Sequence, residues 1–302
     1  MHWHPVILAK RKSYNGLLNI NNKSSAFESE IPPLHKLYLC NWDFVLAGKQ
    51  VWNIDLYSIK NEEQFYLKKF ESGGYDIILK VVVFDLGGTL MQYVGMPYSW
   101  EDCYYKGFEK IIREFRYPVS QDVVEKSFQM LKEFNPRIHY REVEYSAEYI
   151  FTKILEPWHM DIPVQSCIEA FWRGLRLKAE IYPETINVLQ KLKEKDYTIA
   201  ALTDLPSAMP DEIFRRDILE LLDYFDYYVS STVAGYRKPN CKGLQMISER
   251  FSFPITELIF IGDEEKDRRT AINANCKFIW VQHTEKNKGS IDSLYELLQV
   301  LE

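Results

Sequence analysis

The stretch VVVFDLGGTL, residues 81–90, runs four apolar residues into a lone carboxylate, Asp85, then two glycines and Thr89. A strand ending this way delivers a carboxylate to a tight turn. There it can serve as a nucleophile and divide one difficult step into two easier ones. Two later apolar runs end on polar groups in the same manner. YTIAALTD (197–204) brings Thr203 and Asp204, and LIFIGD (258–263) brings Asp263. Lys238 stands in AGYRKPN, and Asp267 follows Asp263 in GDEEKD. Singly, each has a plainer reading: Thr203 as a turn hydroxyl, Lys238 as a solvated lysine before proline, Asp267 as a first-turn helix carboxylate. Their common placement at strand ends and following loops is what points to chemistry.

The elements that must position them are short, continuous apolar runs. KVVVFD, YTIAALTD, YYVSS (227–231), LIFIGD and KFIWV (277–281) fit strands buried on both faces of a parallel sheet. PETINVLQKLKEKD (183–196) reads as an intervening helix, with Pro183 in its first turn and Ile186, Leu189 and Leu192 along one side. This is the pattern of a doubly wound, mainly parallel, Rossmann-like α/β domain, whose ligands sit beyond the carboxyl ends of the strands. Between the first and second of these strands lies an insert, residues 95–182, that reads as helices throughout. Ser99 and Ser120 are its expected N-caps, ahead of WEDCYYKGFEKIIREF and QDVVEKSFQMLKEF. SAEYIFTKIL and PVQSCIEAFWRGLRLKAE supply two more helices, and the bundle is expected to sit over the strand ends as a lid.

From Lys80 onward the chain resembles the haloacid dehalogenase superfamily, in the subgroup with a helical cap inserted after the first strand. FDLGGTL matches the family's Asp-x-Asp-Gly-Thr, IAALTD its hydroxyl motif, AGYRKPN its lysine motif and FIGDEEKDRRTAINANC its acidic motif. The resemblance implies Asp85 as the nucleophile, Gly88 as the tight turn and Thr89 as the turn-stabilising hydroxyl. It implies Thr203, Lys238 and Gly88 around a phosphate, and Mg²⁺ held by Asp85, Asp263 and the backbone carbonyl of Gly87. Asp267 would orient Lys238 or the metal waters. Carboxylates and carbonyls are the hard oxygen ligands that Mg²⁺ takes. A lysine and a hydroxyl form an electrostatic clamp on a transferring phosphoryl group.

Gly87 departs from the pattern. The family's phosphatases carry a second Asp there, which protonates the leaving group and then activates water. Glycine keeps the carbonyl and loses the acid. Family dehalogenases have an aromatic residue at this position, use no metal and lack the Gly-Asp motif present here, so dehalogenation is disfavoured. Phosphonate-cleaving members have Ala here and a Schiff-base lysine on the cap, a role for which Lys106, Lys110 and Lys178 are available beside the plainer solvated reading. Asp204, where the family commonly has Asn, is read either as a replacement acid or as a cap for its turn. Arg173 and Arg176 either reach an anionic group or face solvent.

The expected function is therefore Mg²⁺-dependent removal of phosphate from a small phosphorylated metabolite through an aspartyl-phosphate. The alternative is a catalytically weak protein of this fold that binds a phosphorylated ligand or partner. Composition agrees with a globular chain. Of 302 residues, 46% are hydrophobic and 26% charged. The net charge of −6 gives no basic footprint for nucleic acid. No apolar run is long enough to span a bilayer. Five scattered cysteines without CxxC spacing read as free thiols, and a cytoplasmic location is expected. The expected organisation is an N-terminal extension of unknown role over 1–79, partly β or not native, a core over 80–94 and 183–302, and a helical cap over 95–182. ESGGYDIILK (71–80) is compatible with an alternative start at Leu79, which N-terminal sequencing would decide. VWNIDLYSI (51–59) reads as a half-buried strand and 21–33 as loop, and His2 with His4 as a solvated terminus.

Overall fold

The computed structural model describes residues 38–45, 51–58, 65–67, 80–283 and 290–301, and the chain falls into two units, Met1–Ile77 and Ile78–Glu302. In the first unit, β1 (Tyr38–Val45), β2 (Val51–Ser58) and β3 (Phe65–Leu67) form an antiparallel sheet in the order β1-β2-β3. The strand expected within 51–59 is β2. His2, His4, the 21–33 loop and the burial of β2 side chains lie outside the described residues.

The second unit begins with β4 (Lys80–Phe84), followed by β5 (Met91–Tyr93). Helices α1 (Tyr104–Phe115), α2 (Gln121–Glu133), α3 (Ala147–Leu155) and α4 (Val164–Leu175) come next, then β6 (Ala179–Ile181). The chain continues through α5 (Thr185–Glu194), β7 (Tyr197–Thr203), α6 (Asp211–Asp217), α7 (Leu219–Leu222), β8 (Tyr227–Ser230) and α8 (Ser231–Ala234). It closes with α9 (Lys242–Phe251), β9 (Ile259–Gly262), α10 (Glu265–Ala274), β10 (Lys277–Val281), β11 (Ser290–Ile291) and α11 (Leu294–Val300). Six strands form one parallel sheet in the order β11-β10-β9-β4-β7-β8. β4 comes first in this series, with β7 on one side and β9 on the other. The strand order therefore reverses at β4, and the crevice that such a reversal opens lies above its carboxyl end.

Alternation along the strands explains why the runs are continuously apolar. Val82 and Phe84 of β4 enter one core with Ile199, Ala201 and Ile261, while Val81 and Val83 enter the other with Ala200, Leu202 and Phe260. The first face is covered by Val188, Leu189 and Leu192 of α5 and by Leu294 and Leu297 of α11. The second is covered by Leu244 and Ile247 of α9 and Ala271 of α10. Each fully buried aliphatic or aromatic side chain contributes roughly 1.5–3 kcal/mol, so a charge at any of these strand positions would unseat the sheet. Among the described residues, no helix is long and apolar enough to cross a membrane.

The insert differs from expectation in three places. It is not helical throughout, because β6 pairs antiparallel with β5, Met91 opposite Ile181. The final insert helix stops at Leu175, where Arg176 takes a left-handed φ of 51°, and the residues expected to extend it turn into β6. Ser99 does not cap α1, since a 3₁₀ turn, Glu101–Cys103, intervenes behind Trp100. Ser120 does stand at the N-cap of α2, without a side-chain capping bond, and Ser146 caps α3 by accepting from the Tyr149 amide. Pro183 lies just outside α5, whose N-cap is Glu184. α1 and α4 pack closely because Gly107 has no Cβ; one there would fall 2.3 Å from the Phe171 ring.

Several contacts join the insert to the core. Trp172 donates its indole N–H to the Ala208 carbonyl at 2.9 Å, and Ser207 donates to the Phe134 carbonyl at 2.8 Å. Between α2 and α3 the chain also lies against the loop that carries Lys238. Val143 bridges Tyr236, the Arg237 amide donates to the Glu142 carbonyl at 2.8 Å, and the Arg237 guanidinium pairs with Glu144.

Candidate active site

Three adjacent strands present the candidate residues at one edge. Asp85 follows β4 and its amide donates to the Ile261 carbonyl of β9 at 2.8 Å, which fixes the carboxylate directly over the switch point. Thr203 ends β7, and Asp263 follows β9. Lys238 comes from the loop after α8 and reaches across to the carboxylates. Its ammonium lies 2.9 Å from Asp85 Oδ1 and 2.6 Å from Asp267 Oδ1. All three side chains are at least nine-tenths buried, with Asp267 wholly so. The Thr89 hydroxyl donates to Asp263 Oδ1 at 2.9 Å, and Asp267 Oδ2 accepts from the Glu264 amide at 3.0 Å. Asp85, Lys238 and Asp267 thus form one ion-paired group, Thr89 and Asp263 a hydrogen-bonded pair, and one oxygen of Asp263 lies within 4.8 Å of oxygens of Asp85 and Asp267. Thr203 is buried at the neighbouring strand end and stands outside these contacts.

The electrostatics follow from burial and crowding. Burial pushes the Asp85 carboxyl up to about 7, against the pull of Lys238, and the Asp267 charge adds to the rise. Asp263 is held well above the ordinary carboxylate range by burial and then by Asp85 and Asp267. Burial works against the charged form of Lys238, but Asp267 and Asp85 outweigh it and keep the ammonium protonated above its usual range. The Lys238 nitrogen lies in ion-pair contact without an aligned hydrogen-bond acceptor. An ammonium has three donors, so it can take a further anionic oxygen.

The donor set also fits a hard divalent cation. One oxygen each from Asp85, Asp263 and Asp267 lies within 4.8 Å of the others. A dication there would offset the burial, and then the mutual repulsion, that lift the first two carboxyls, and carboxylate oxygens are the ligands Mg²⁺ and its like prefer.

The two turn glycines behave differently. Gly88 has φ +85°, and a Cβ on it would lie 2.1 Å from Asp263 Oδ2, so glycine is required. Its amide, at a position expected beside a phosphate, donates to the Met91 carbonyl at 2.8 Å, inside the turn. Gly87 is exposed, and a Cβ there would meet no heavy atom within 4 Å. A side chain is absent at this position although there is room for one.

Asp204 resolves toward a structural role. Its Oδ1 accepts from the Lys238 amide at 3.1 Å, and Oδ2 faces Lys266 at 3.7 Å and Arg237 at 4.0 Å. Burial opposes its charge, but Arg237 and then the two lysines hold its carboxyl below the ordinary range. It anchors the Lys238 loop as an anion and has no proton to offer. Arg173 pairs with Glu114 and Glu169. With Lys106, Lys110 and Arg176 it borders an open groove of about 790 Å³ between α1 and α4, which shares no lining residue with the Asp85 cluster.

Two groups at the site have no motif to announce them. Arg137, from the chain between α2 and α3, pairs with Glu264 at 2.5 Å and covers the Tyr98 ring at 4.1 Å. Lys266 joins Glu264 at 2.9 Å, and together these cations overcome burial to hold the Glu264 carboxyl at about 2. His283 stacks on Tyr182 at 3.9 Å, approaches Glu184 at 3.5 Å and lies 3.1 Å from the Thr89 carbonyl. It braces the turn whose hydroxyl holds Asp263. A histidine two residues past a strand carries no periodic signal, and only its strand-end position could have marked it.

Known proteins resemble this chain in sequence or in fold. The phosphoglycolate phosphatase of Vibrio parahaemolyticus is 27% identical over 132 residues, which is 41% of this chain and 57% of that protein. The chain thus spans little more than half the length of that relative. The glyceraldehyde 3-phosphate phosphatase of Pyrococcus abyssi is 22% identical over 237 residues, covering 74% of this chain and 94% of its own. The 2-haloacid dehalogenase of Pseudomonas syringae shares the fold at a TM-score of 0.54 and 20% identity, over 74% of this chain and 98% of that one. The family described as haloacid dehalogenase-like hydrolase matches residues 79–275, well over half of the sequence. The chain belongs to the haloacid dehalogenase-like hydrolase family.

Proposed function

We propose that the protein removes phosphate from a small phosphorylated metabolite, with Asp85 as nucleophile and Mg²⁺ as cofactor. The observation that carries this reading is the buried Lys238 ammonium, 2.9 Å from Asp85 and 2.6 Å from Asp267 at the carboxyl edge of the sheet. A cation placed there offsets the repulsion between an anionic nucleophile and an anionic phosphoryl group. A carboxylate oxygen of Asp85 attacks phosphorus, and the bond to the leaving oxygen breaks with its electron pair. Water then attacks the same phosphorus and returns the Asp85 carboxylate. Lys238 and Thr203 hold phosphoryl oxygens. Asp85, Asp263 and the Gly87 carbonyl would hold Mg²⁺, which when bound supplies positive charge against the developing oxyanions. Asp267 keeps Lys238 in place. The insert, residues 95–182, closes over the substrate and selects it, and the core comprises 80–94 and 183–302. The cytoplasm, where free thiols persist, is the compartment this reading assigns.

Phosphate release from a panel of phosphorylated compounds tests it. Release is expected to need Mg²⁺ and to vanish in Asp85→Asn. Release that survives Asp85→Asn would overturn the reading. Gly87 favours a second reading, a weak catalyst that binds a phosphorylated ligand. Mg²⁺-dependent phosphate binding without turnover on any compound would select it.

A further inference from the structure

We propose that Asp85 takes its phosphoryl group from acyl phosphates, the mixed anhydrides of carboxylic and phosphoric acids, and passes it to water so slowly that the phosphorylated chain accumulates. This rests on Asp85 being the nucleophile, as argued above.

The two half-reactions make different demands. In the first, an Asp85 oxygen bonds to phosphorus and the anhydride P–O bond breaks. The electron pair leaves on a carboxylate, which is stable without a proton. In the second, water must bond to phosphorus while the P–O bond to Asp85 breaks, and that water must lose a proton as it attacks. The first step needs the nucleophile and a cation beside it, and the site has Asp85 and Lys238. The second needs a base, and Gly87, where the resemblance implies one, carries no side chain although a Cβ there would meet no heavy atom within 4 Å.

Among the described residues, each neighbouring carboxylate is committed elsewhere. Asp267 is paired with Lys238 and accepts from the Glu264 amide. Asp204 accepts from the Lys238 amide and faces Lys266 and Arg237. Glu264 is held between Arg137 and Lys266. Asp263 accepts from Thr89 and is assigned to the metal. His283 is turned to the Thr89 carbonyl and Glu184. The site is thus built for phosphorylation by a donor whose leaving group needs no acid, and it lacks the group that would discharge it. Positioned general acid–base help is worth about 10²–10⁴-fold, and the stored phosphoryl group is expected to outlive that of a complete site by this factor.

The full chain incubated with Mg²⁺ and acetyl phosphate, then followed by intact mass and peptide mapping, tests the proposal. The expected result is one hydroxylamine-labile phosphoryl group per chain, located on Asp85, which persists after the donor is removed. Asp85→Asn should take no label, and Gly87→Asp should shorten the lifetime of the label by about 10²–10⁴-fold. Steady release of phosphate without build-up of label, abolished by Asp85→Asn, would overturn the storage proposal and leave the phosphatase reading standing. Asp85-dependent release from p-nitrophenyl phosphate with no label from acetyl phosphate would overturn the donor class. Absence of both label and release in the wild type and in Gly87→Asp would overturn both readings.

Discussion

Replacing Gly87 by Asp adds a carboxylate where the site has space for one. The new Cβ meets no heavy atom within 4 Å, whereas the same addition one residue later would strike Asp263 at 2.1 Å. The substitution should therefore fold and keep the metal site. If the missing group is only an acid and base, its return should raise kcat by about 10²–10⁴-fold, or about 3–5 kcal/mol at ~1.4 kcal/mol per decade. The gain in kcat/KM, which reads the step that phosphorylates Asp85, should grow with leaving-group basicity. A nitrophenolate leaves well unaided, while a sugar alkoxide needs the proton, so the wild type should show a steep dependence on leaving-group pKa and the variant a shallow one. The assay is phosphate release at saturating Mg²⁺ across aryl, acyl and alkyl phosphates, with Mg²⁺ binding followed separately. An unchanged rate and an unchanged dependence, with Mg²⁺ affinity retained, would refute the reasoning, because the pocket would then serve something other than phosphoryl transfer.

Three other outcomes are expected. Thr89→Val removes the hydroxyl that donates to Asp263 at 2.9 Å; Mg²⁺ affinity by calorimetry should fall about 10–100-fold, and unchanged affinity would refute the bracing role. Arg237→Leu leaves Glu144 and Asp204 as buried, underpaired anions; denaturant unfolding should show a loss of about 3–5 kcal/mol, and a loss below about 1 kcal/mol would refute it. Because Asp85 is raised to about 7, it is protonated below that pH and must lose its proton to serve as a metal ligand. Mg²⁺ affinity should therefore weaken as pH falls below about 7, by about tenfold per unit for one proton, and flat affinity between about pH 5 and 7 would contradict this.

The parallel sheet and the residues at its edge are readable in the sequence because one physical cause writes both. A strand covered on both faces must be apolar at every position, so the first polar residue after it marks the sheet edge, as Asp85, Thr203 and Asp263 do. The insert is less readable. β5 and β6 are three residues each and owe their pairing to being the two ends of one excursion, which no local pattern encodes. The chain between α2 and α3 is held by partners about ninety residues away, such as Glu144 with Arg237. Charged residues on a loop look solvated until the fold brings that partner. Asp204 keeps two readings in the sequence for a related reason: whether it caps its turn or offers a proton depends on whether a particular amide already donates to it, and only coordinates show that.

The β5–β6 ribbon has a consequence for how this architecture can change. The insert leaves and re-enters the core through strands that lie side by side, with the Val94 amide donating to the Lys178 carbonyl at 2.9 Å. The two attachment points are therefore one place, and an excursion of another length or sequence could be spliced there without altering strand order or register. The strand-end groups belong to β4, β7, β9 and their loops and would remain aligned through such an exchange. What would not transfer is the seam formed by Trp172 on Ala208 and by Glu144 on Arg237. A transplanted excursion would have to supply its own counter-ion for Arg237, because that guanidinium stays with the core while its Glu144 partner leaves with the insert.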